Sequence, residues 1–325
     1  MLASFIPRPG TFELREVPKP SLSQDGQVLI RTELACICGS DLHEIADPRI
    51  PADVRPPGYP CHESVGVVEE TMDDRFPVGQ RVLAVQNLTY AAGFAPYQVI
   101  PTEFVVPLTD SISNEEAVFA QQLGTTIFAM KRFWPENVGR AGTAVVLGAG
   151  SAGLSFTNLC RLAGFEQIIV SDLYPHRLEA AREMGATQTV LGGTDEIIDV
   201  VREATGGLGA DLVIEAAGQN ESRLQTFQTV RTEGRIGFFG VPSTDEWTIP
   251  FAEVFRRKPS IEMRWDAQAE LGLTSFRAAL DLIETGRIDA KKYRMQFYTL
   301  EQVPEVLDLA ANPTNGLIKA GVRFA

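Results

Sequence analysis

From Thr143 to Trp265 the chain alternates short apolar or β-branched runs with amphipathic stretches, and this alternation restricts the possible folds more than anything else in it. Strand-like runs lie at Ala144–Gly148, Gln167–Asp172, Gln188–Leu191, Leu212–Ala217, Ile236–Gly240 and Ser260–Trp265. Helical patterns fall between them, at Ala152–Ala163, Arg177–Met184, Glu196–Ala204 and Ser222–Arg231. Strands separated by such helices specify a parallel sheet, and six of them match the two mononucleotide-binding halves of a doubly wound α/β fold.

The first turn of that pattern carries chemistry. Gly148, Gly150 and Gly153 follow the apolar run Thr143–Leu147 and lead into a helix that opens at Ser151 or Ala152. Glycine suits each place: a tight turn, room for a pyrophosphate against the backbone, and close packing of helix on strand, with phosphate charge at the helix amino end. Asp172 closes the second strand some twenty residues on, where a carboxylate can accept hydrogen bonds from ribose hydroxyls and would repel a 2′-phosphate. NAD is therefore expected rather than NADP. Arg177, close by in sequence, is a cation that can accommodate a phosphate or simply pair with Asp172.

The first hundred residues have a different texture. Short runs at 28–32, 64–68, 81–85, 97–100 and 104–107 are punctuated by Gly and Pro, as in Pro56-Pro57-Gly58-Tyr59-Pro60, and read as a compact, mostly β domain. A helical run covers Glu115–Phe133. From Ser275 the tail holds a helix, a strand-like Arg294–Tyr298, another helix and a final strand, Leu317–Phe324. Because the six-strand count is complete at Trp265, the tail is expected to return to the first domain.

Two runs in the β-rich part, Cys38-Gly39-Ser40-Asp41-Leu42-His43 and Cys61-His62-Glu63, bring together a thiol, an imidazole and a carboxylate. A catalytic zinc takes three such ligands from protein and keeps a position for water or substrate; Cys38, His62 and Glu63 supply that set. A divalent metal beside a dinucleotide is the apparatus of a metal-assisted hydride transfer. Cys36 and Cys160 sit among apolar neighbours and read as core.

Composition narrows the classes further. A formal charge of −13 over 325 residues, with no clustered cationic footprint, argues against a nucleic-acid or anionic-membrane surface. No apolar run approaches the length that spans a bilayer, and Met1–Arg8 is too short and too soon broken by proline for a secretory signal. Four cysteines are too few for a disulfide-stapled scaffold. A cytoplasmic enzyme is expected.

At these motifs the chain resembles the zinc-containing medium-chain alcohol dehydrogenases, and within them the sorbitol, threonine and sugar dehydrogenase branch. The resemblance covers nearly the whole length, through Cys38–His43, His62-Glu63 with Ser64-Val65-Gly66-Val67-Val68, the glycine turn, Asp211–Gly218 and Gly316-Leu317-Ile318-Lys319. It implies a GroES-like catalytic domain (1–122 and 266–325) split around a Rossmann domain (123–265), with the active site in the cleft between them. It also implies Cys38 and His62 as zinc ligands and Glu63 as a ligand or alternate ligand. Ser40 then corresponds to the hydroxyl that contacts substrate oxygen, Asp41 to a supporting carboxylate and His43 to the outer end of a proton relay. These roles are coherent: a cation lowers the pKa of an alcohol, Ser40 passes the proton outward, and an imidazole can deliver it to solvent.

Three departures stand out. Cys61 replaces a common glycine and is read as a small buried residue. Gln121, within Phe119–Gly124, stands where many members place a carboxylate or cysteine as the further metal-site ligand, and a neutral amide is a poorer one. Between Leu83 and Val99 there is no cysteine, so the four-cysteine structural zinc lobe of many relatives is missing and one zinc per chain is expected.

The reading is an NAD- and zinc-dependent dehydrogenase acting on a secondary alcohol or ketone of the polyol or sugar class, in a homo-oligomer, dimer or tetramer. Two alternatives are a zinc-free, NADPH-dependent enone or quinone reductase, opposed by the ligand triad and Asp172, and a cofactor-binding protein without catalysis, opposed by Ser40 and His43.

Overall fold

The computed structural model describes residues 1–51, 55–136, 138–139, 142–192, 196–313 and 316–324. They fall into two compact units, residues 1–124 with 268–325, and residues 125–267; one division lies inside the helix Asn114–Phe133.

The second unit is a six-stranded, wholly parallel sheet in the spatial order Gln188–Leu191, Gln167–Asp172, Thr143–Leu147, Ala210–Glu215, Val230–Phe238, Ser260–Met263. Every residue of Thr143–Leu147 is buried, as a central strand covered on both faces must be, which is why it reads as an unbroken apolar run. Helix Ser151–Leu162 follows the glycine turn, and Pro175 at the start of Pro175–Glu183 presets the first helical φ where no amide is missed.

Two elements depart from the sequence pattern. Val230–Phe238 starts directly where the helix Asn220–Thr229 ends, six residues before Ile236; its first part carries the polar run Thr232-Glu233-Gly234, with Glu233 at φ 57, so no apolar run marks it. The helix Phe251–Arg257 has no counterpart in the pattern; none of its residues is buried, so no apolar stripe marks it.

In the first unit the long strand Gln27–Cys36 is central. It pairs antiparallel with Glu63–Thr71, with Tyr97–Pro101 and with Ala320–Arg323, near the end of the chain. Gln296–Tyr298 extends the sheet beyond Ala320–Arg323, and Arg81–Ala84 and Val105–Pro107 extend it on the other side. A small antiparallel pair, Leu2–Phe5 with Glu13–Glu16, and a short helix, Gly39–Ala46, complete the amino-terminal part; the strand pattern shows neither. Ile37, Tyr59, Cys61, Phe94, Val303 and Val322 share one buried cluster, which joins the segments around the site to the carboxyl-terminal helix Val303–Ala311 and the last strand. Phe94 is fully buried and packs edge-on against Phe12.

Candidate active site

Cys38 caps the amino end of Gly39–Ala46, two residues after the strand Gln27–Cys36 ends. The antiparallel register pairs Cys36 with Glu63, so the strand carries Cys38 to the place where His62 and Glu63 enter the neighbouring strand. One sulfur, one ring nitrogen and one carboxylate oxygen of Cys38, His62 and Glu63 lie within 4.8 Å of one another. His62 and Glu63 are buried and Cys38 is half-buried.

Asp41 organises two of these donors. As the third residue of the helix it accepts a hydrogen bond from the Cys38 backbone N–H through Oδ2, at 2.9 Å, the return half of a capping box. Its other oxygen stands 3.2 Å from His62 Nδ1 as a charge contact rather than an aligned hydrogen bond, and the hydrogen bond of Nδ1 goes to the Pro60 carbonyl at 3.3 Å. A carbonyl only accepts, so Nδ1 carries the proton and the Nε2 lone pair is left for a metal; a backbone carbonyl orients the ring, with the Asp41 carboxylate beside it. Burial opposes charge on His62, but in the metal-free site Asp41 and Cys38 beside it outweigh burial and hold its pKa well above the ordinary value, so a metal would have to displace the second ring proton to reach Nε2.

Lys319 belongs to the site, although in the sequence it is only part of a resembling run. Its Nζ lies 2.8 Å from Glu63 Oε2 and donates to the Ile37 carbonyl at 3.3 Å, with both side chains about 1% exposed. The contact with Glu63 is an ion pair rather than an aligned hydrogen bond, and Glu63 Oε1 is buried without a partner. Burial works against the Lys319 charge; Glu63, Cys36 and Cys38 overcome it and raise the pKa. The sequence signal was a lysine directly before the apolar strand residues Ala320, Gly321 and Val322, but only the Gly321–Cys36 register shows what it faces. The donor chemistry and the orphaned Glu63 oxygen together fit a zinc ion.

Cys61, next to His62, points the other way. Its thiol donates to the Cys36 carbonyl at 3.3 Å, packs against Gly93, and is driven to a high pKa by burial.

In the second unit the three glycines have three distinct reasons. Gly148 adopts φ +96, and a Cβ there would press on Ala217 at 3.0 Å. A Cβ on Gly153 would lie 1.8 Å from the Gly148 carbonyl oxygen, so only glycine lets this helix approach its strand. At Gly150 a Cβ would meet only Arg177 Nη1, at 3.9 Å, which leaves open backbone at the amino end of the helix. These residues fit a dinucleotide pyrophosphate, with Ser151 and Ala152 in the first helical turn.

Asp172 does more than wait for a ribose. Oδ2 accepts from the Ala149 N–H at 2.6 Å and Oδ1 from Tyr174 N–H at 2.9 Å, so the carboxylate pins the glycine turn. Arg177 Nη1 stands 3.6 Å from Oδ2, with its guanidinium over the Tyr174 ring at 5.1 Å. A carboxylate has lone pairs beyond the two engaged here, which leaves acceptor capacity for a hydroxyl.

Comparison with known families settles the assignment. Residues 24–110 match the alcohol dehydrogenase GroES-like domain and residues 152–285 the zinc-binding dehydrogenase domain, together about two thirds of the chain. The chain belongs to the zinc-type medium-chain dehydrogenases. This dehydrogenase is 26% identical to a sorbitol dehydrogenase of Bacillus subtilis, over 99% of this chain and 97% of that one. It is 27% identical to the erythritol/L-threitol dehydrogenase of Mycolicibacterium smegmatis, over 94% and 92%. Its fold matches an alcohol dehydrogenase from Thermus sp. ATN1 with a TM-score of 0.86 at 24% identity, over the full length of both chains.

The remaining candidate residues of this dehydrogenase are placed as follows. Ser40 is half-buried and His43 exposed, three residues apart on the helix that Cys38 caps, so they share one face; no hydrogen bond joins them. Gln121 is buried in the helix Asn114–Phe133. No helix among the described residues is long and apolar enough to cross a membrane.

Proposed function

We propose that this dehydrogenase interconverts a secondary alcohol and a ketone of the polyol or sugar class, with zinc at Cys38, His62 and Glu63 and NAD at the glycine turn of residues 148–153. The observation that carries the proposal is the donor triad ordered by Asp41. The names of the sorbitol and erythritol/L-threitol dehydrogenases support the substrate class. When bound, zinc would supply a Lewis acid at the substrate oxygen and NAD a hydride acceptor. The chain's own residues do the rest. Asp41 holds the Cys38 amide and sits beside the His62 ring, Ser40 accepts the hydroxyl proton as it gives up its own, and exposed His43, one helical turn on, receives a proton through water and releases it to solvent. Gln121, as a neutral amide, is assigned to orienting substrate or to weak ligation.

The test is metal analysis of the purified protein, then a screen of alcohols, polyols and ketones with NAD and NADP in parallel. Turnover that survives complete metal removal would reject the zinc assignment, and higher catalytic efficiency with NADP would show that Arg177, not Asp172, governs cofactor choice. With a substrate from that screen, Ser40→Ala is expected to lower alcohol oxidation about 10²-fold or more. His43→Gln should lower it only several-fold, because water can replace an outer relay member, and should weaken the dependence of the rate on pH. Unchanged profiles in both variants would remove the relay.

A homo-oligomer is also proposed. Ser260–Met263 is an open edge of the parallel sheet, and Ile261, Met263 and Trp265 along it are 40%, 59% and 66% exposed, as are Phe251 and Phe255 on the nearby helix at 67% and 72%. An uncovered apolar edge favours a self-complementary contact about a two-fold axis. Sedimentation should give at least a dimer, and Ile261→Lys with Met263→Lys should shift it to monomer; a monomeric wild type would exclude the contact. All described cysteines are free, which suits a reducing compartment such as the cytoplasm.

A further inference from the structure

The strand order of the parallel sheet reverses between Thr143–Leu147 and Ala210–Glu215: the two strands after the first lie on one side of this pair, and the two after the second on the other. Doubly wound sheets take ligands outside the carboxyl ends of their strands at such a reversal. The glycine turn is one wall of that crevice. The other is the turn that follows Glu215, since a Cβ on Gly148 would touch Ala217, and Ala216 N–H donates to the Leu147 carbonyl at 2.8 Å.

Glu215 is fully buried at the end of its strand. One oxygen, Oε1, accepts three hydrogen bonds, from Ala217 N–H at 2.8 Å and Gly218 N–H at 2.7 Å in the turn that follows, and from the Ser222 hydroxyl at 2.7 Å in the helix Asn220–Thr229 after it. The other, Oε2, is buried without a partner. Gly218 sits at φ +76, and its carbonyl accepts from Arg223 Nη2 at 2.9 Å and from Ser243 N–H at 3.0 Å. A Cβ there would lie 2.1 Å from the Val241 carbonyl oxygen. Burying a carboxylate with half its acceptor capacity unused is unfavourable, and burial indeed raises its pKa against the opposing hydrogen bonds. What this arrangement secures is the conformation of residues 216–218.

We propose that Glu215 is a positioning residue for the dinucleotide, holding the Ala216–Gly218 turn as the second wall of the crevice so that its backbone packs against the bound cofactor. The proposal rests on the dinucleotide reading above. It is tested by titrating zinc-loaded wild type, Glu215→Gln and Glu215→Ala with NADH and with NADPH, alongside zinc content and melting temperature without cofactor. The glutamine keeps one acceptor for the three donors but leaves a buried amide unpaired; the alanine leaves all three donors without their acceptor. The dissociation constant for NADH is expected to rise a few-fold for Glu215→Gln and at least about tenfold for Glu215→Ala, with zinc content as in wild type. Wild-type affinity in Glu215→Gln, whether or not the alanine variant folds, would overturn the proposal, as would a loss of affinity matched by an equal loss of zinc or a general fall in melting temperature. A wild type that binds neither NADH nor NADPH would overturn the dinucleotide reading and this proposal with it.

Discussion

Replacing Cys38 by serine is expected to remove most of the bound zinc and to lower alcohol turnover roughly 10³-fold or more, while NADH binding persists. The sulfur is the softest of three donors, and losing it leaves His62 and a Glu63 that is already paired with Lys319. Lewis-acid stabilisation is worth several kcal/mol, which corresponds to the stated loss of rate. The glycine turn and Asp172 belong to the other unit and share no residue with the triad, so cofactor affinity should be unaffected. Elemental analysis, initial rates and an NADH titration on one preparation decide it. A serine variant that retains stoichiometric zinc and activity would show that Cys38 is not a ligand.

The second large effect is expected at Lys319. Lys319→Met should destabilise the first unit of the metal-free protein by about 3–5 kcal/mol, because it leaves the buried Glu63 carboxylate without its cation. Zinc should restore part of that loss by meeting the same carboxylate. Lys319→Met with Glu63→Leu should recover most of the stability and bind zinc poorly, since an apolar pair replaces a buried ion pair at small net cost. All three tryptophans, Trp134, Trp247 and Trp265, lie in the second unit, so tryptophan fluorescence would miss the event. Hydrogen exchange in Gln27–Cys36 and Glu63–Thr71 reports it instead. Protection in the single variant equal to wild type would mean that Lys319 contributes nothing to holding Glu63.

Much of this protein was legible in its sequence because the signals are local. The period of apolar residues and the intervening helical stretches specify the parallel sheet, and within the 148–153 turn Gly148 needs its positive φ and Gly153 the room beside the Gly148 carbonyl, both set inside the turn itself. Donor types at Cys38, His62 and Glu63 narrow the chemistry before any coordinate is known. The helix Phe251–Arg257 was not legible, since it buries no face and therefore leaves no period.

Tertiary structure decided what depends on pairing between distant segments. The Cys36–Glu63 register brings the triad to one place, and the Gly321–Cys36 register sets Lys319 against Glu63 across more than 250 residues of chain. The same is true of acceptors that serve neighbours from other strands: Asp172 reaches back to Ala149, and the turn held by Glu215 meets Gly148. A residue's type sets which bonds it can make, and its sequence neighbours set its local geometry. Which partner it meets depends on strand order and register, quantities that exist only once the sheets have formed.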